Sequence, residues 1–180
     1  MLTGSARSVH DFDLYGAVAK CEHFCEKFGG HKYAAGLSIK KENLPQFIDA
    51  FEKVVSESIA EDQLTPKINI DMVIDINDAD DKLYRIIKQF APFGPKNLSP
   101  IFVSKGVIDS GYGKQVGGDK THLRINAKRN KGAIAGIGFG MGEYFEIIKD
   151  NQSFDVCYSI DENEWNGKKS LQLRVRDIKK

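Results

Sequence analysis

The C-terminal half of the chain carries the pattern that most restricts its fold. Five short runs of β-favouring residues follow one another there: Ile101–Ser110, His122–Ala127, Ala133–Phe139, Phe154–Asp161 and Ser170–Ile178. Glycine-rich or polar turns separate most of them. Short runs at regular spacing with turn signals between them predict an all-β sandwich or barrel.

Between the third and fourth runs, Met141–Lys149 reads as a helix. Five strands with one helix at that point is the pattern of an OB-fold. Upstream, Lys67–Ile76 alternates Ile68, Ile70, Met72 (or Val73), Ile74 and Ile76 with Asn69, Asp71 and Asp75, and reads as a half-buried sixth strand. Asp78–Phe90 predicts a short helix with Leu83, Ile86, Ile87 and Phe90 inward, and Pro92, Gly94, Pro95 and Pro100 predict a rigid turn after it. The first sixty residues read differently. Asp11–Lys27 predicts a helix with Leu14, Val18, Cys21 and Cys25 on its apolar face, ended by Gly29 and Gly30. A short strand is expected over Tyr33–Ile39. Asn43–Ser58 predicts an amphipathic helix with Leu44, Phe47, Phe51, Val54 and Val55 inward and Pro45 in its first turn. The polar segment Glu61–Lys67, with Pro66, marks a boundary and gives domains at 1–62 and 63–180.

Charge is segregated. The net value of +1 is uninformative, yet residues 96–136 hold eight basic residues against Asp109 and Asp119, a local excess of +6. The stretch 137–167 is acidic through Glu143, Glu146, Asp150, Asp155, Asp161, Glu162 and Glu164. A concentrated positive segment is the electrostatic footprint of a nucleic-acid surface. The cations are Lys114, Lys120, Arg124, Lys128, Arg129 and Lys131. Tyr112 and His122 are the candidates for stacking on bases, and Phe139 and Tyr144 read as core. No apolar run approaches the roughly 20 residues that cross a bilayer, and Met1–Asp13 lacks the apolar segment of a signal peptide. Three cysteines, Cys21, Cys25 and Cys157, argue against a disulfide framework and for a reducing cytoplasm.

Other chemistries are poorly supported. Cys21 and Cys25 with His23 and His31 lack a second ligand pair for zinc and read as buried core thiols. Asp75–Asp80 lacks the central glycine and closing glutamate of a calcium loop. The glycines of 132–142 do not lead from a strand into a phosphate-binding helix and read as a closely packed strand. No carboxylate cluster accompanies His10-Asp11 to hold two divalent ions.

Two motifs near the start are weak alone and specific together. Gly4-Ser5-Ala6-Arg7-Ser8 offers hydroxyls and a guanidinium to a phosphate. After an amphipathic helix, Lys27-Phe28-Gly29-Gly30-His31 precedes Ala34-Ala35-Gly36. This arrangement resembles the DHH-associated domain of DHH phosphoesterases. Ala91-Pro92-Phe93-Gly94-Pro95-Lys96-Asn97, with Pro100 and Phe102, resembles a turn of the RecJ family, the single-stranded-DNA-specific 5′-to-3′ exonucleases of that superfamily. Thr121-His122-Leu123, Ile137-Gly138-Phe139-Gly140 and Leu171–Ile178 are similar to the same family's C-terminal domain. The resemblance spans essentially the whole chain and completes the expected fold class: α+β, a truncated DHH-associated α/β domain followed by an OB-fold-like antiparallel β-barrel.

The resemblance also implies roles. Ser5 and Arg7 are implied to hold a 5′-terminal phosphate. Gly29, Gly30 and His31 are implied to form a phosphate-contacting turn, with Gly30 and His31 facing a metal-bound scissile phosphate. The family's Mn2+ or Mg2+ is held by an upstream Asp-His-His domain, and no Asp-His-His occurs here. The chain is therefore expected to begin inside the DHH-associated domain, to carry no metal or cofactor, and to cleave nothing alone. Its implied partner is single-stranded DNA, in DNA repair and recombination. It is expected to be a cytoplasmic monomer with no membrane contact, with DNA-repair proteins as further partners. Two alternatives stand beside this. One is a protein-interaction barrel that docks repair factors through the acidic 143–164 segment. The other is a different DHH-family oligonucleotide phosphoesterase.

Overall fold

In the computed structural model, which describes residues 1–130 and 132–180, the chain forms two units, Met1–Ile68 and Asn69–Lys180. Lys131, expected among the barrel cations, lies outside the described residues.

The first unit contains β1 (Leu2–Arg7), α1 (Leu14–Ala19), β2 (Cys25–His31), β3 (Ala34–Ile39) and α2 (Leu44–Ser58). Its sheet is antiparallel in the order β1-β3-β2. Ala35, Leu14, Ala17 and Val18 pack with Phe51, Val54 and Val55 of α2, and Ile39 packs with Cys21 and Phe47. The helix expected over Asp11–Lys27 is a correction: only Leu14–Ala19 is α-helical. Asp13 caps it by accepting the Gly16 N–H. Glu22–Phe24 makes one 3₁₀ turn, and the chain from Cys25 pairs with β3 as a strand. That pairing satisfies backbone groups that a helix running into Gly29 and Gly30 would satisfy poorly. Gly30 has φ +152°, and a Cβ there would run into the Ala34 carbonyl oxygen, so this crossing requires glycine. Cys21 and Cys25 therefore do not share a helix face.

The second unit contains β4 (Met72–Val73), α3 (Asp81–Lys88), β5 (Phe102–Asp109), β6 (Lys114–Val116), β7 (His122–Lys128), β8 (Ile134–Gly138), α4 (Phe145–Ile148), β9 (Phe154–Trp165) and β10 (Lys168–Lys179). Its sheet runs β4-β5-β9-β10-β8-β7-β6. A further pairing, Ile108↔Lys128 and Asp109↔Ala127, brings β5 back to β7. Five strands thus close a ring, β5-β9-β10-β8-β7, through a seam of two residue pairs, with β4 and β6 outside it. The contact of β8 with β10 is parallel and the other ring contacts are antiparallel. This is the partly open five-stranded OB topology, with α4 between its third and fourth ring strands. Leu123, Ile125 and Ala127 of β7, with Val107, Val156, Tyr158 and Leu173, have no exposed surface, and Ile148 of α4 joins them.

Two expectations fail at the edges. Lys67–Ile76 is not a half-buried strand. Only Met72 and Val73 pair with β5, both are exposed, and Ile68 and Ile70 are exposed too. Ile76 is buried, in a 3₁₀ turn. Ile74 packs partly against the core, but a segment that meets the sheet edge through two residues leaves Ile68, Ile70, Met72 and Val73 uncovered. In α3, Leu83 and Ile87 face the core, while Ile86 and Phe90 are exposed. The Asp80 side chain caps the Leu83 N–H and the helix ends at Lys88. Ile86 is then rotated about 100° from Ile87, and Phe90 lies beyond the last turn. The expected turn after α3 is closed by Asn97, whose side-chain amide donates to the Phe90 and Pro92 carbonyls, both at 2.9 Å.

The Tyr158 hydroxyl is 2.8 Å from that of Ser104, which also bonds the Ile74 carbonyl. Burial pushes its pKa from 10 up to about 12. The folded state favours the neutral phenol, so the contribution is complete below pH 10 and is lost as pH rises through about 12. Replacing Tyr158 by Phe should cost about 1 kcal/mol at pH 7. It should also remove a loss of roughly 3 kcal/mol between pH 10 and 12, measured by urea unfolding across that range.

Candidate nucleic-acid interface

Strand alternation sorts β7 into two faces. Leu123, Ile125 and Ala127 point into the barrel, and His122, Arg124, Asn126 and Lys128 point out. Register extends the outer row. Lys114 of β6 lies opposite Arg124, Arg124 opposite Ile137, and Ile137 beside Arg174 of β10. Lys114, Arg124 and Arg174 form no ion pair with a described residue. Like charges directly opposite across two strands repel, so the Lys114–Arg124 pair is an uncompensated positive site.

The loop beside this pair is built by Asp109. Asp109 is 5% exposed, and one oxygen of its carboxylate accepts the N–H groups of Gly111 and Gly113, each at 2.8 Å. The other accepts the Asn126 N–H at 2.7 Å. These bonds tie the 111–113 loop to β7 at the barrel seam. A Cβ on Gly113 would lie 2.8 Å from Ile148 and 2.9 Å from the Asp109 carboxylate, so the loop seats only glycine there. Tyr112 at its tip is 74% exposed. Tyr112, Lys114, Arg124, Asn126 and Ala135, with Gly111 and Gly113, line an open cavity of about 490 Å³.

The structure thus brings Tyr112, Lys114 and Arg124 together. His122 and Lys128 share the outer face of β7, nearer its two ends. Lys120 sits in the β6–β7 turn with φ 59°. Arg129 is instead paired with Asp75 at 3.2 Å. The Asn77 N–H and then Arg129 hold that carboxyl below the usual carboxylate range. Phe139 is a correction: expected in the core, it is 58% exposed. Tyr144 is partly buried against the core. Sequence reasoning missed Asp109 and Arg174. The first was legible in Asp109-Ser110-Gly111-Tyr112-Gly113, where an aspartate precedes two small residues and can close a turn on its own backbone. The second was legible in the alternation of β10, where Arg174 falls between buried Leu173 and Val175. In the acidic stretch, Glu162 is held by Lys169 and Lys88, and Glu146 pairs with Lys149.

In the first unit, Arg7 and His31 lie opposite Ala34 on its two sides, and Ser5 and Gly29 flank Gly36 in the same way. Ala35 is buried under the helices, so these rows occupy the other face of the sheet. The floor between them is Ala34 and Gly36. His31 accepts the Tyr33 N–H on Nδ1 at 3.3 Å, which leaves Nε2 as a donor. Burial pushes the Cys21, Cys25 and Cys157 thiols up. Among the described residues no three His, Cys, Asp or Glu side chains converge as metal ligands, so those present do not fit a divalent ion. No helix of the described residues is long and apolar enough to cross a membrane.

The family model described as the RecJ OB domain matches residues 70–177. The chain belongs to the RecJ family. The DHHA1 domain model matches residues 2–57. The single-stranded-DNA-specific exonuclease RecJ of Bacillus subtilis is 27% identical over 175 residues, 97% of this chain and 22% of that protein. The protein of the same name from Haemophilus influenzae is 26% identical over 182 residues, 97% of this chain and 31% of its own. The chain thus spans less than a third of these relatives. The crystal structure of Thermus thermophilus RecJ in complex with Mn2+ superposes over 99% of this chain and 25% of that one, with TM-score 0.76 and 20% identity. Its Mg2+ complex gives 0.74 over the same share of this chain and 27% of that one. At that identity the likeness establishes the fold.

Replacing Asp109 with Ala strands three N–H groups and should lower stability by about 3 kcal/mol. Urea unfolding with unchanged m-value checks this.

Proposed function

We propose that this chain is the single-stranded-DNA-holding part of a RecJ-type 5′-to-3′ exonuclease, acting in DNA repair and recombination in the cytoplasm. The observation that carries the proposal is the uncompensated Lys114–Arg124 pair, facing outward beside Tyr112 over an open cavity. A phosphate placed between these cations relieves their repulsion, and an exposed aromatic at the groove edge suits an unpaired base. The face involved, on the second and third ring strands and the loop after the first, is where OB-folds bind oligonucleotides.

Residues 1–62 act in this reading as part of the DHH-associated domain, and 63–180 as the DNA-binding barrel. Ser5 and Arg7 hold a 5′-phosphate, and Gly29, Gly30 and His31 contact the backbone of the strand. Hydrolysis itself, with Mn2+ or Mg2+, belongs to residues other than these, so the chain alone binds and does not cut. The protein-docking alternative is weakened because Glu162 and Glu146 of the acidic stretch are already paired internally.

Fluorescence anisotropy with a labelled single-stranded oligonucleotide tests the reading. Binding should weaken with salt, log K falling roughly 0.7 per phosphate contact against log salt. The double variant Lys114→Glu, Arg124→Glu should lose at least tenfold in affinity, and Arg129→Glu, whose cation is already paired, should lose little. Absence of binding at low salt, or equal losses in both variants, contradicts the proposal.

A further inference from the structure

Phe139 follows directly on β8 and leaves more than half its surface in water. Burying a phenylalanine is worth roughly 1.5–3 kcal/mol, so a ring held outside the core forgoes that gain. The ring is also not loose. The His122 ring meets it edge to face at 5.3 Å, and the Arg174 guanidinium lies over it 5.6 Å from the centroid. The turn that carries it is fixed as well. The Gly140 N–H donates to His122 Nδ1 at 3.1 Å, tying residues 139–140 to the start of β7. Phe139 is therefore an exposed, pre-positioned aromatic surface. It stands on the outer face beside the Lys114, Arg124 and Arg174 row.

We propose that Phe139 is a nucleobase-stacking site, with His122 and Arg174 as its positioning residues. This rests on the reading of the barrel as a single-strand binder and deepens it, because it names where a base is held. A flat apolar ring of fixed orientation accepts any base face at low ordering cost. The Arg174 guanidinium reaches the adjoining phosphate while keeping its cation–π contact with the ring. Charge holds the backbone and this ring holds one base, so the two contributions separate experimentally.

The test uses the whole chain, a fluorescein-labelled oligothymidylate, and the same oligonucleotide with abasic sites throughout its interior. Phe139→Ala should weaken oligothymidylate binding about five-fold or more with the salt slope unchanged. Phe139→Trp should restore it. On the abasic strand, wild type and Phe139→Ala should bind alike. Thermal melting should be little changed in Phe139→Ala, since the side chain is not in the core. Equal affinity of wild type and Phe139→Ala for oligothymidylate overturns the stacking site and leaves the groove intact. An equal loss on the abasic strand, or a shallower salt slope, also overturns it. No binding by the wild-type chain removes the underlying functional reading and this site with it.

Discussion

Three backbone N–H groups converge on the Asp109 carboxylate at the seam where the barrel closes. Taking a carboxylate out of water is expensive unless its oxygens are fully hydrogen-bonded, and here both are engaged. Two things follow from the one residue. Asp109 pairs with Ala127 in the short contact that joins β5 to β7 and makes a ring of an otherwise open sheet. It also pulls Gly111 and Gly113 down onto that seam, which lifts Tyr112 outward and sets Lys114 opposite Arg124. Closure of the barrel and shape of the groove are thus one event.

This arrangement changes what the charge pattern means. The excess of +6 over residues 96–136 treats each charge alike. In the fold, Asp109 is a structural acid buried against amides, and Arg129 is neutralised by Asp75 from a segment that the excess does not include. The positive character that faces outward comes from fewer residues, together with Arg174 from β10. Alternation decides the matter. Cations placed every second residue beside Leu123, Ile125 and Leu173 are forced onto one surface.

Legibility followed the same logic. β7 and β10 are readable because each buries one face and alternates; β5 and β9, parts of which are buried on both faces, are readable as apolar runs bounded by turn residues, and the helix between the third and fourth ring strands is readable from its position and apolar content. Where a segment gains its partners from far away, local pattern misled. Leu14, Val18, Cys21 and Cys25 have helical spacing, yet from Cys25 onward β3 supplies the backbone bonds. Lys67–Ile76 has the alternation of a strand and lacks the neighbour that would cover it. β6 was missed because three residues are too few to show a period. Phe139 reads as core in the sequence and is exposed in the fold. Its outward direction depends on the turn at Gly140, with φ +70°, and on the bond from that residue to His122, which no local pattern reports. Ser5, Arg7 and His31 drew attention through a motif, and their placement on one sheet face depends on register with β3.

Under the proposed function, the outer face of β7 and β8, shaped by Asp109, is the surface that meets DNA. Titrating unlabelled oligothymidylate into the 15N-labelled chain and following amide shifts tests it most directly. Within the second unit the largest shifts are expected in residues 111–114, Arg124, Asn126 and 137–140, with little change in the acidic 143–164 stretch. Shifts concentrated in 143–164, or the absence of shifts from 111–114, Arg124, Asn126 and 137–140, would overturn it.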